Sequence, residues 1–254
     1  MRDRFLALKA AGHPLATLTA ADYPTARLLD GAGLDLILVG DSLGMVTLGY
    51  VDTTEVTLDD MLHHTRAVRR GVTRTPLAAD LPCCTYDTPL QAVATAQALG
   101  EAGAEAVKLE GGRSHLPHIR ALLDAGWPVI GHIGMLPQSV RLEGGYKKKG
   151  RTPDQAQGLI EDAMALDAAG VAAIVVEDVV GPVAAEISRT IACPTIGIGS
   201  GTGCDGQILV TADLIGAFPW FRPPFAQALG DVAGEITRSV EAYVAAVRGT
   251  SVPP

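Results

Sequence analysis

The chain has 254 residues, 48% of them hydrophobic and 19% charged, a balance that is typical of a globular core and excludes a disordered chain. The formal net charge of −8 argues against a nucleic-acid partner, because proteins that bind nucleic acids usually present a basic face. No run of about 18 apolar residues is free of charge, so we expect no membrane span.

Residues 1–12 mix charged and apolar residues at helical spacing and predict an extra N-terminal helix. Eight short apolar runs follow, each before a polar or glycine-bearing turn and a longer segment with helical spacing. The predicted strands are Leu15–Thr19, Leu34–Val39, Pro76–Ala79, Ala106–Leu109, Pro128–Ile130, Ala172–Val176, Pro194–Ile198 and Gln207–Val210. Apolar runs that do not alternate with polar residues are typical of buried parallel strands, which indicates an α/β protein.

Eight alternations of strand and helix in about 250 residues favour a closed (β/α)₈ TIM barrel, with an open doubly wound sheet as the alternative. No linker rich in proline, glycine or serine interrupts the chain, so residues 1–254 are predicted to form one domain. The last helical segment is predicted at Ala226–Arg248, and residues 250–254 are predicted to form a loose tail.

Polar residues lie near the ends of the predicted strands or just after them, at the positions that face the active site of a barrel. They are Asp41, Ser42, Asp80, Lys108, Glu110, His132 and Glu177. Asp41 and Asp80 follow neighbouring strands, where carboxylates are typical ligands of a hard cation such as Mg²⁺. For either aspartate alone, capping of the following helix is the more common role, but together with Glu110 the two favour a metal site.

Lys108 and Glu110 are two residues apart, so in a strand their side chains share a face, which we predict to be the lumen. There Lys108 suits a substrate carboxylate or an enolate oxygen; a structural Lys–Glu ion pair and a Schiff base are the alternatives. Glu177 ends an apolar strand, where partial desolvation suits a general base or acid, with a salt-bridged structural role as the alternative. A single histidine such as His132 is weak evidence by itself.

Two further motifs are less specific. The run Gly197-Ile-Gly-Ser-Gly-Thr-Gly203 lacks the spacing of a dinucleotide-binding loop and predicts either a loop that approaches a ligand or a tight turn. The basic cluster Lys147-Lys-Lys-Gly-Arg151 is short, and we interpret it as a solvated loop. The four cysteines show no metal or disulfide spacing, which favours a cytoplasmic protein.

Around these positions the sequence resembles the ketopantoate hydroxymethyltransferase family (3-methyl-2-oxobutanoate hydroxymethyltransferases). The similar segments are Leu38-Val-Gly-Asp-Ser-Leu-Gly-Met45, His64-Thr-Arg-Ala-Val-Arg-Arg-Gly71, Ala79-Asp-Leu-Pro82, Val107-Lys-Leu-Glu-Gly-Gly112, Gly131-His-Ile-Gly134, Pro137-Gln-Ser139, Gly144-Gly-Tyr-Lys147, Pro194-Thr-Ile-Gly-Ile-Gly199 and Asp205-Gly-Gln-Ile-Leu209. They occur in order over about four-fifths of the chain, and the first and fourth are specific at this separation.

The resemblance implies hydroxymethyl transfer from 5,10-methylenetetrahydrofolate to 3-methyl-2-oxobutanoate, giving 2-dehydropantoate (ketopantoate) in pantothenate biosynthesis. It implies that the 2-oxo acid chelates Mg²⁺, which polarises the carbonyl and stabilises the enolate. Asp41 and Asp80 match the metal-binding aspartates, Glu110 lies near the metal, and Glu177 matches the catalytic glutamate that moves the C3 proton. The positions that match substrate contacts are Asp41, Ser42, Asp80, Lys108 and His132. The resemblance also implies a homo-oligomer, a decamer of barrels.

The chain departs from the family pattern at three places. Ala21 stands where the family usually has tyrosine, Lys148 and Lys149 replace an uncharged pair, and Asp178-Val-Val180 replaces Cys-Val-Pro. None of these changes removes a proposed ligand or base, so they affect the expected substrate more than the reaction type. One alternative is a related Mg²⁺-dependent aldolase or lyase acting on a different 2-oxo acid, which Ala21 favours. A non-catalytic metabolite-binding barrel is a second alternative, which the intact charged set disfavours.

Overall fold

The computed structural model describes residues 1–249, and the predicted loose tail at 250–254 lies outside the described residues. Within residues 1–249, eight strands are hydrogen-bonded in sequence order and close into a barrel, each parallel to the next. They are β1 (Leu15–Thr19), β2 (Leu36–Val39), β3 (Leu77–Asp80), β4 (Ala106–Glu110), β5 (Val129–Gly134), β6 (Ala173–Glu177), β7 (Thr195–Ile198) and β8 (Gly206–Leu209). Each overlaps a predicted strand, so the TIM barrel is confirmed and the open-sheet alternative is wrong.

Helices follow the strands except between β7 and β8, which residues 199–205 join without a helix. In chain order they are α1 (Arg2–Ala10), α2 (Tyr23–Asp30), α3 (Leu43–Val46), α4 (Leu58–Gly71), α5 (Pro89–Glu101), α6 (Leu116–Asp124), α7 (Val140–Glu143), α8 (Pro153–Ala169), α9 (Gly181–Thr190), α10 (Thr211–Leu214) and α11 (Val232–Val247). The extra N-terminal helix is present as α1. The last helix begins at Val232 rather than at Ala226, because the side chain of Asp231 caps it by accepting a hydrogen bond from the Gly234 N–H.

Local sequence explains where the longer helices begin and end. Thr88 and Thr152 accept hydrogen bonds from backbone N–H groups three residues further on, and a proline follows each in the first turn of α5 and α8. Thr57 and Asp60 form a reciprocal capping box at the start of α4. Gly170, in the left-handed conformation, ends α8 before β6.

Two apolar layers follow from the alternation of side chains along the strands. The inner layer fills the barrel and includes Ile130 and the fully buried Phe5 of α1. The outer layer lies between strands and helices and includes Val107 and Leu109. Because successive strand residues point in opposite directions, the charged residues that alternate with these two in β4 project into the lumen, as predicted.

The chain divides into two compact units, residues 1–208 and residues 209–254, the second described as far as residue 249. In the second unit, the Val232 N–H donates to the Ile215 carbonyl (3.0 Å), and α11 exposes Ile236, Val240 and Tyr243. The expectation of a single domain stays a prediction. No helix between residues 1 and 249 is long and apolar enough to cross a membrane.

Candidate active site

Strand register brings the predicted site residues of β3 to β6 to one end of the barrel. Asp80 lies beside Lys108 in the pairing of β3 with β4, and Glu110 lies beside His132 in the pairing of β4 with β5. Glu177 is the last residue of β6. Because these residues lie at or near the carboxyl ends of parallel strands, their side chains converge at the C-terminal mouth of the barrel.

A buried ion pair joins two of them. The Lys108 ammonium lies 2.7 Å from Asp80 Oδ1, and the two side chains are 7% and 2% exposed. Burial by itself lowers the pKa of Lys108, but the carboxylates of Asp80, Asp41 and Glu110 outweigh burial and raise that pKa. A lysine that stays cationic is a poor nucleophile, which disfavours the Schiff base. The alternative of a Lys108–Glu110 ion pair is wrong, because the partner is Asp80.

Neither aspartate caps a helix. Ser42 occupies the N-cap position of α3, without a side-chain hydrogen bond, and Thr88 caps α5. Instead, Asp80 Oδ2 accepts a hydrogen bond from the Asp41 N–H (3.1 Å), and Asp41 Oδ2 accepts one from the Gln138 side chain (2.8 Å). Burial, and then the nearby Asp80 carboxylate, raise the pKa of Asp41 well above its ordinary range. Two carboxyl groups therefore lie close together in a buried place, and the capping interpretation is wrong for both.

His132 lies between two further carboxylates. Its Nδ1 is 3.4 Å from Glu110 Oε1 and its Nε2 is 3.1 Å from Glu177 Oε2. Burial and the Lys108 charge lower the pKa of His132, but Glu110 and Glu177 outweigh them and raise it to about 9. Since neither ring nitrogen makes a well-directed hydrogen bond, attraction between opposite charges holds the ring at neutral pH.

The raised pKa predicts how stability depends on pH. The folded chain should bind the His132 proton more tightly than the unfolded chain, whose histidine has the ordinary pKa of 6.5. Without metal, His132 should thus stabilise the fold fully below pH 6.5 and lose up to about 3 kcal/mol as the pH rises towards 9. Unfolding in EDTA between pH 6 and about 9.5 measures this; the profile of His132→Gln should be flatter. The exposed His63→Gln is the control, and equal slopes in both variants would contradict the assignment.

Gln138 was not predicted as a site residue, although it links several of them. Its backbone N–H donates to Glu110 Oε2 (3.1 Å), and its side-chain nitrogen donates to Asp41 Oδ2 (2.8 Å) and to the Leu81 carbonyl (3.0 Å). Its side-chain oxygen accepts a hydrogen bond from the Tyr86 hydroxyl. An uncharged residue adds nothing to a charge pattern, so the available signals were the place of Gln138 shortly after β5 and its presence in the similar segment Pro137-Gln-Ser139.

Removal of the Gln138 side chain leaves buried acceptors without their donor. We expect Gln138→Ala to lower the free energy of unfolding by about 1–3 kcal/mol in EDTA, measured by chemical denaturation. Gln97→Ala is the matched control, because Gln97 lies on the exposed face of α5, where its side chain donates a hydrogen bond to Glu101. A loss no larger than that of the control would show that the Gln138 contacts contribute nothing.

Ser42 lies close to the charged groups, whereas Ala21 packs against the apolar residues between strands and helices. A Cβ atom added to Gly40 would lie 3.1 Å from Ser42 Oγ and 3.6 Å from Asp80 Oδ2, which places the hydroxyl close to the acidic pair. The partly buried Ala21 packs against the outer apolar layer, and its carbonyl accepts a hydrogen bond from His64 Nδ1 (2.6 Å). The effect of Ala21 on the substrate pocket stays a prediction.

The mouth carries more negative than positive charge. Its four carboxyl groups and its two cations belong to Asp41, Asp80, Glu110, Glu177, Lys108 and His132. If all four carboxyls are ionised, two negative charges remain, and a divalent cation that prefers oxygen ligands would balance them. Among residues 1–249, no three acidic, histidine or cysteine side chains already surround one point at metal-binding distances. The charge balance and the donor types thus fit Mg²⁺, although the side chains are not arranged around an ion.

A closed (β/α)₈ barrel with buried acidic and basic groups at its C-terminal mouth is the architecture of a barrel enzyme. Residues 2–254 match the family described as ketopantoate hydroxymethyltransferase. Two relatives are named 3-methyl-2-oxobutanoate hydroxymethyltransferase. The relative from Acetivibrio thermocellus is 48% identical over 98% of this chain and 89% of its own length. The relative from Oleidesulfovibrio alaskensis is 49% identical over 94% of this chain and 83% of its own length. The chain belongs to the ketopantoate hydroxymethyltransferase family.

Membership of this family makes the protein an enzyme of the hydroxymethyltransferase type, so the resemblance is confirmed and the non-catalytic alternative is wrong.

Solved structures show the same fold at low identity. Oxaloacetate acetylhydrolase in complex with the product oxalate has a TM-score of 0.65 and 16% identity, covering 100% of this chain and 88% of that one. The 2,3-dimethylmalate lyase, a PEP mutase/isocitrate lyase superfamily member, has a TM-score of 0.61 and 16% identity, covering 99% of this chain and 88% of that one. At such identities the likeness shows the fold alone.

Proposed function

We propose that this enzyme transfers a hydroxymethyl group from 5,10-methylenetetrahydrofolate to 3-methyl-2-oxobutanoate, forming 2-dehydropantoate through an enolate in pantothenate biosynthesis. The shared name of the relatives supports ketopantoate formation in general. The observation that carries the chemistry is the contact of Glu177 with His132, which holds a carboxylate beside a buried cation at the mouth of the barrel (3.1 Å).

Glu177 is the group best suited to take the C3 proton. Its side chain is 14% exposed, whereas that of Glu110 is 3% exposed and that of Asp80 is 2% exposed. A base must reach the substrate, and among these three carboxylates Glu177 is the most accessible from the mouth. His132, protonated at neutral pH, orients the Glu177 carboxylate and is itself held from the other side by Glu110.

Lys108 and Ser42 are suited to hold the substrate. The Lys108 ammonium stays charged and attracts the carboxylate or the developing enolate oxygen of a 2-oxo acid. The Ser42 hydroxyl, close to the acidic pair, is suited to donate a hydrogen bond to an oxygen of the same acid. Once Glu177 holds the C3 proton, the methylene carbon of the folate forms one bond to C3 and one to a water oxygen, and both of its C–N bonds break. Tetrahydrofolate leaves, and its two nitrogens take up the C3 proton and one proton of the water.

Asp41 and Asp80 are the residues that would hold Mg²⁺, with Glu110 nearby. The excess of carboxylate charge in the mouth and the raised pKa of Asp41 support a cation there. When bound, Mg²⁺ supplies a Lewis acid that polarises the keto group and stabilises the enolate.

Further parts of the proposal rest on the sequence. The resemblance supports a homo-oligomer, a decamer, and the cysteine pattern supports a cytoplasmic enzyme. The net charge of −8 supports the absence of a nucleic-acid partner. A second candidate function, a related aldolase or lyase on another 2-oxo acid, is favoured by alanine at position 21, where a smaller side chain leaves more room.

Product formation tests the proposal. The purified protein is incubated with Mg²⁺, 3-methyl-2-oxobutanoate and 5,10-methylenetetrahydrofolate, and 2-dehydropantoate is followed by mass spectrometry. Parallel reactions contain EDTA, lack folate, or contain larger 2-oxo acids. We expect product that needs both the metal and the folate. Turnover of a larger acid only would favour the second candidate, and no turnover of any acid would reject both.

A further inference from the structure

The segment Tyr146–Gly150, here called the strap, is joined to the loop that follows β6. The Lys149 N–H donates to the Asp178 carbonyl (2.8 Å), and the Val180 N–H donates to the Lys149 carbonyl (3.0 Å). Lys148 and Lys149 are only partly exposed. The interpretation of this basic cluster as a solvated loop is therefore wrong for these two lysines.

One ammonium group ties the strap to two strand ends. Lys148 Nζ lies 2.5 Å from Asp178 Oδ1 and donates to the Gly199 carbonyl at 2.9 Å. Asp178 directly follows β6 and Gly199 directly follows β7, in the glycine-rich run. Both ends lie at the mouth of the barrel, so Lys148 connects three segments there.

Asp178 is the residue after Glu177, and its backbone is unusual. Its φ of +44° lies in the left-handed region that residues other than glycine rarely adopt, although aspartate tolerates it better than most. The Asp178 N–H donates to the Ile198 carbonyl (2.8 Å). The chain thus turns sharply just after Glu177, and the side chain of the turning residue is the one that Lys148 holds.

Lys148 and Asp178 are both departures from the family pattern, and they contact each other. Without Lys148, the Asp178 carboxylate would add a negative charge beside a mouth that already carries an excess of carboxylates. The Lys148 ammonium compensates this charge and also satisfies the Gly199 carbonyl. The two replacements therefore form a matched pair rather than two separate changes.

We propose that Lys148 and Asp178 are positioning residues, which tie the strap to the ends of β6 and β7 and so hold Glu177 in its place at the mouth. This inference rests on the proposed function, in which Glu177 moves the C3 proton. Because the two backbone hydrogen bonds remain when the lysine side chain is lost, a variant at Lys148 should fold and lose only this tie.

The test compares Lys148→Met with the matched control Lys147→Met, which removes the same charge from an exposed neighbour bonded to the Glu143 carbonyl. In Lys148→Met, kcat for exchange of the C3 proton of 3-methyl-2-oxobutanoate in D₂O should fall about tenfold, with KM changed less than about twofold, because the base is displaced while substrate anchors remain. Lys148→Arg should restore most of kcat. Asp178→Asn should resemble Lys148→Met, and the double variant should be no slower than either.

Amide hydrogen exchange, read over peptides that cover residues 145–151 and 178–181, measures the tie without any substrate. Both peptides should exchange faster in Lys148→Met than in Lys147→Met. Equal exchange in the two variants, or faster exchange with an unchanged kcat, would overturn the inference. If the wild-type protein is inactive on this acid, the proposed substrate fails, while the exchange comparison still supports or overturns the tie.

Discussion

Glu177→Gln should abolish exchange of the C3 proton of 3-methyl-2-oxobutanoate while the protein stays folded and keeps its metal, with a rate loss of about 10³-fold or more. The amide has nearly the same shape as the carboxylate, so its oxygen can replace Glu177 Oε2, which lies 3.1 Å from His132 Nε2. The amide cannot take the C3 proton. The measurement is NMR of the substrate in D₂O with Mg²⁺, together with the Mg²⁺-induced change in melting temperature.

The exposed Glu186→Gln, on α9, is the control for this substitution. It should keep both the exchange rate and the melting temperature. A fully active Glu177→Gln protein would remove Glu177 from its assigned role, whereas an inactive variant that has also lost the Mg²⁺ response would make Glu177 part of the metal site instead of the base.

Asp80→Ala and Asp41→Asn should both remove the Mg²⁺-induced rise in melting temperature, but they should change the metal-free protein in opposite directions. Asp80→Ala leaves the Lys108 ammonium buried without its partner at 2.7 Å, which costs about 3–5 kcal/mol of unfolding free energy. Asp41→Asn removes a carboxyl group whose charged form is disfavoured by burial and by Asp80, so it should stabilise the metal-free fold at neutral pH by about 1 kcal/mol.

Chemical denaturation in EDTA and thermal melts with and without Mg²⁺ measure the two effects separately. Asp87→Asn, at an exposed position of the loop after β3, controls for loss of an acidic charge. An Asp80→Ala protein that still responds to Mg²⁺ would contradict its role as a ligand. An Asp41→Asn protein as unstable as Asp80→Ala would contradict the account of crowded carboxylates.

Sequence patterns predicted the barrel because its strands are buried on both faces and therefore appear as unbroken apolar runs. Charged residues within or just after such runs, such as Lys108 and Glu177, are easily recognised. Their side chains are expected in the lumen, because the opposite face of each strand packs against helices. The same alternation places Val107 and Leu109 on the side of the helices. The positions of the strands, and the charged side chains that point into the lumen, could therefore be predicted from the sequence.

Side-chain partners and loop contacts were not predictable in this way. The choice of Asp80 rather than Glu110 as the partner of Lys108 depends on the register between β3 and β4, which a single sequence does not specify. Gln138 lies in a single turn of 3-10 helix, Pro137–Ser139, and Lys148 lies in the strap. Both segments are too short to show a periodicity from which the direction of a side chain could be predicted, and their contacts join segments that are distant in sequence. The beginning of α11 was predicted too early, because residues 226–230, just before its cap Asp231, include the helix-favouring residues Ala-Gln-Ala-Leu.

The central claim, enolisation of the proposed substrate by this barrel, is tested most directly by the wild-type protein in D₂O with Mg²⁺ and 3-methyl-2-oxobutanoate, without folate. The C3 proton is followed by NMR, with EDTA and the Glu177→Gln protein as controls. We predict loss of the C3 signal that depends on both the protein and Mg²⁺. A signal that persists unchanged, with folate absent and then present, would contradict the account and mean that the mouth serves a different acid.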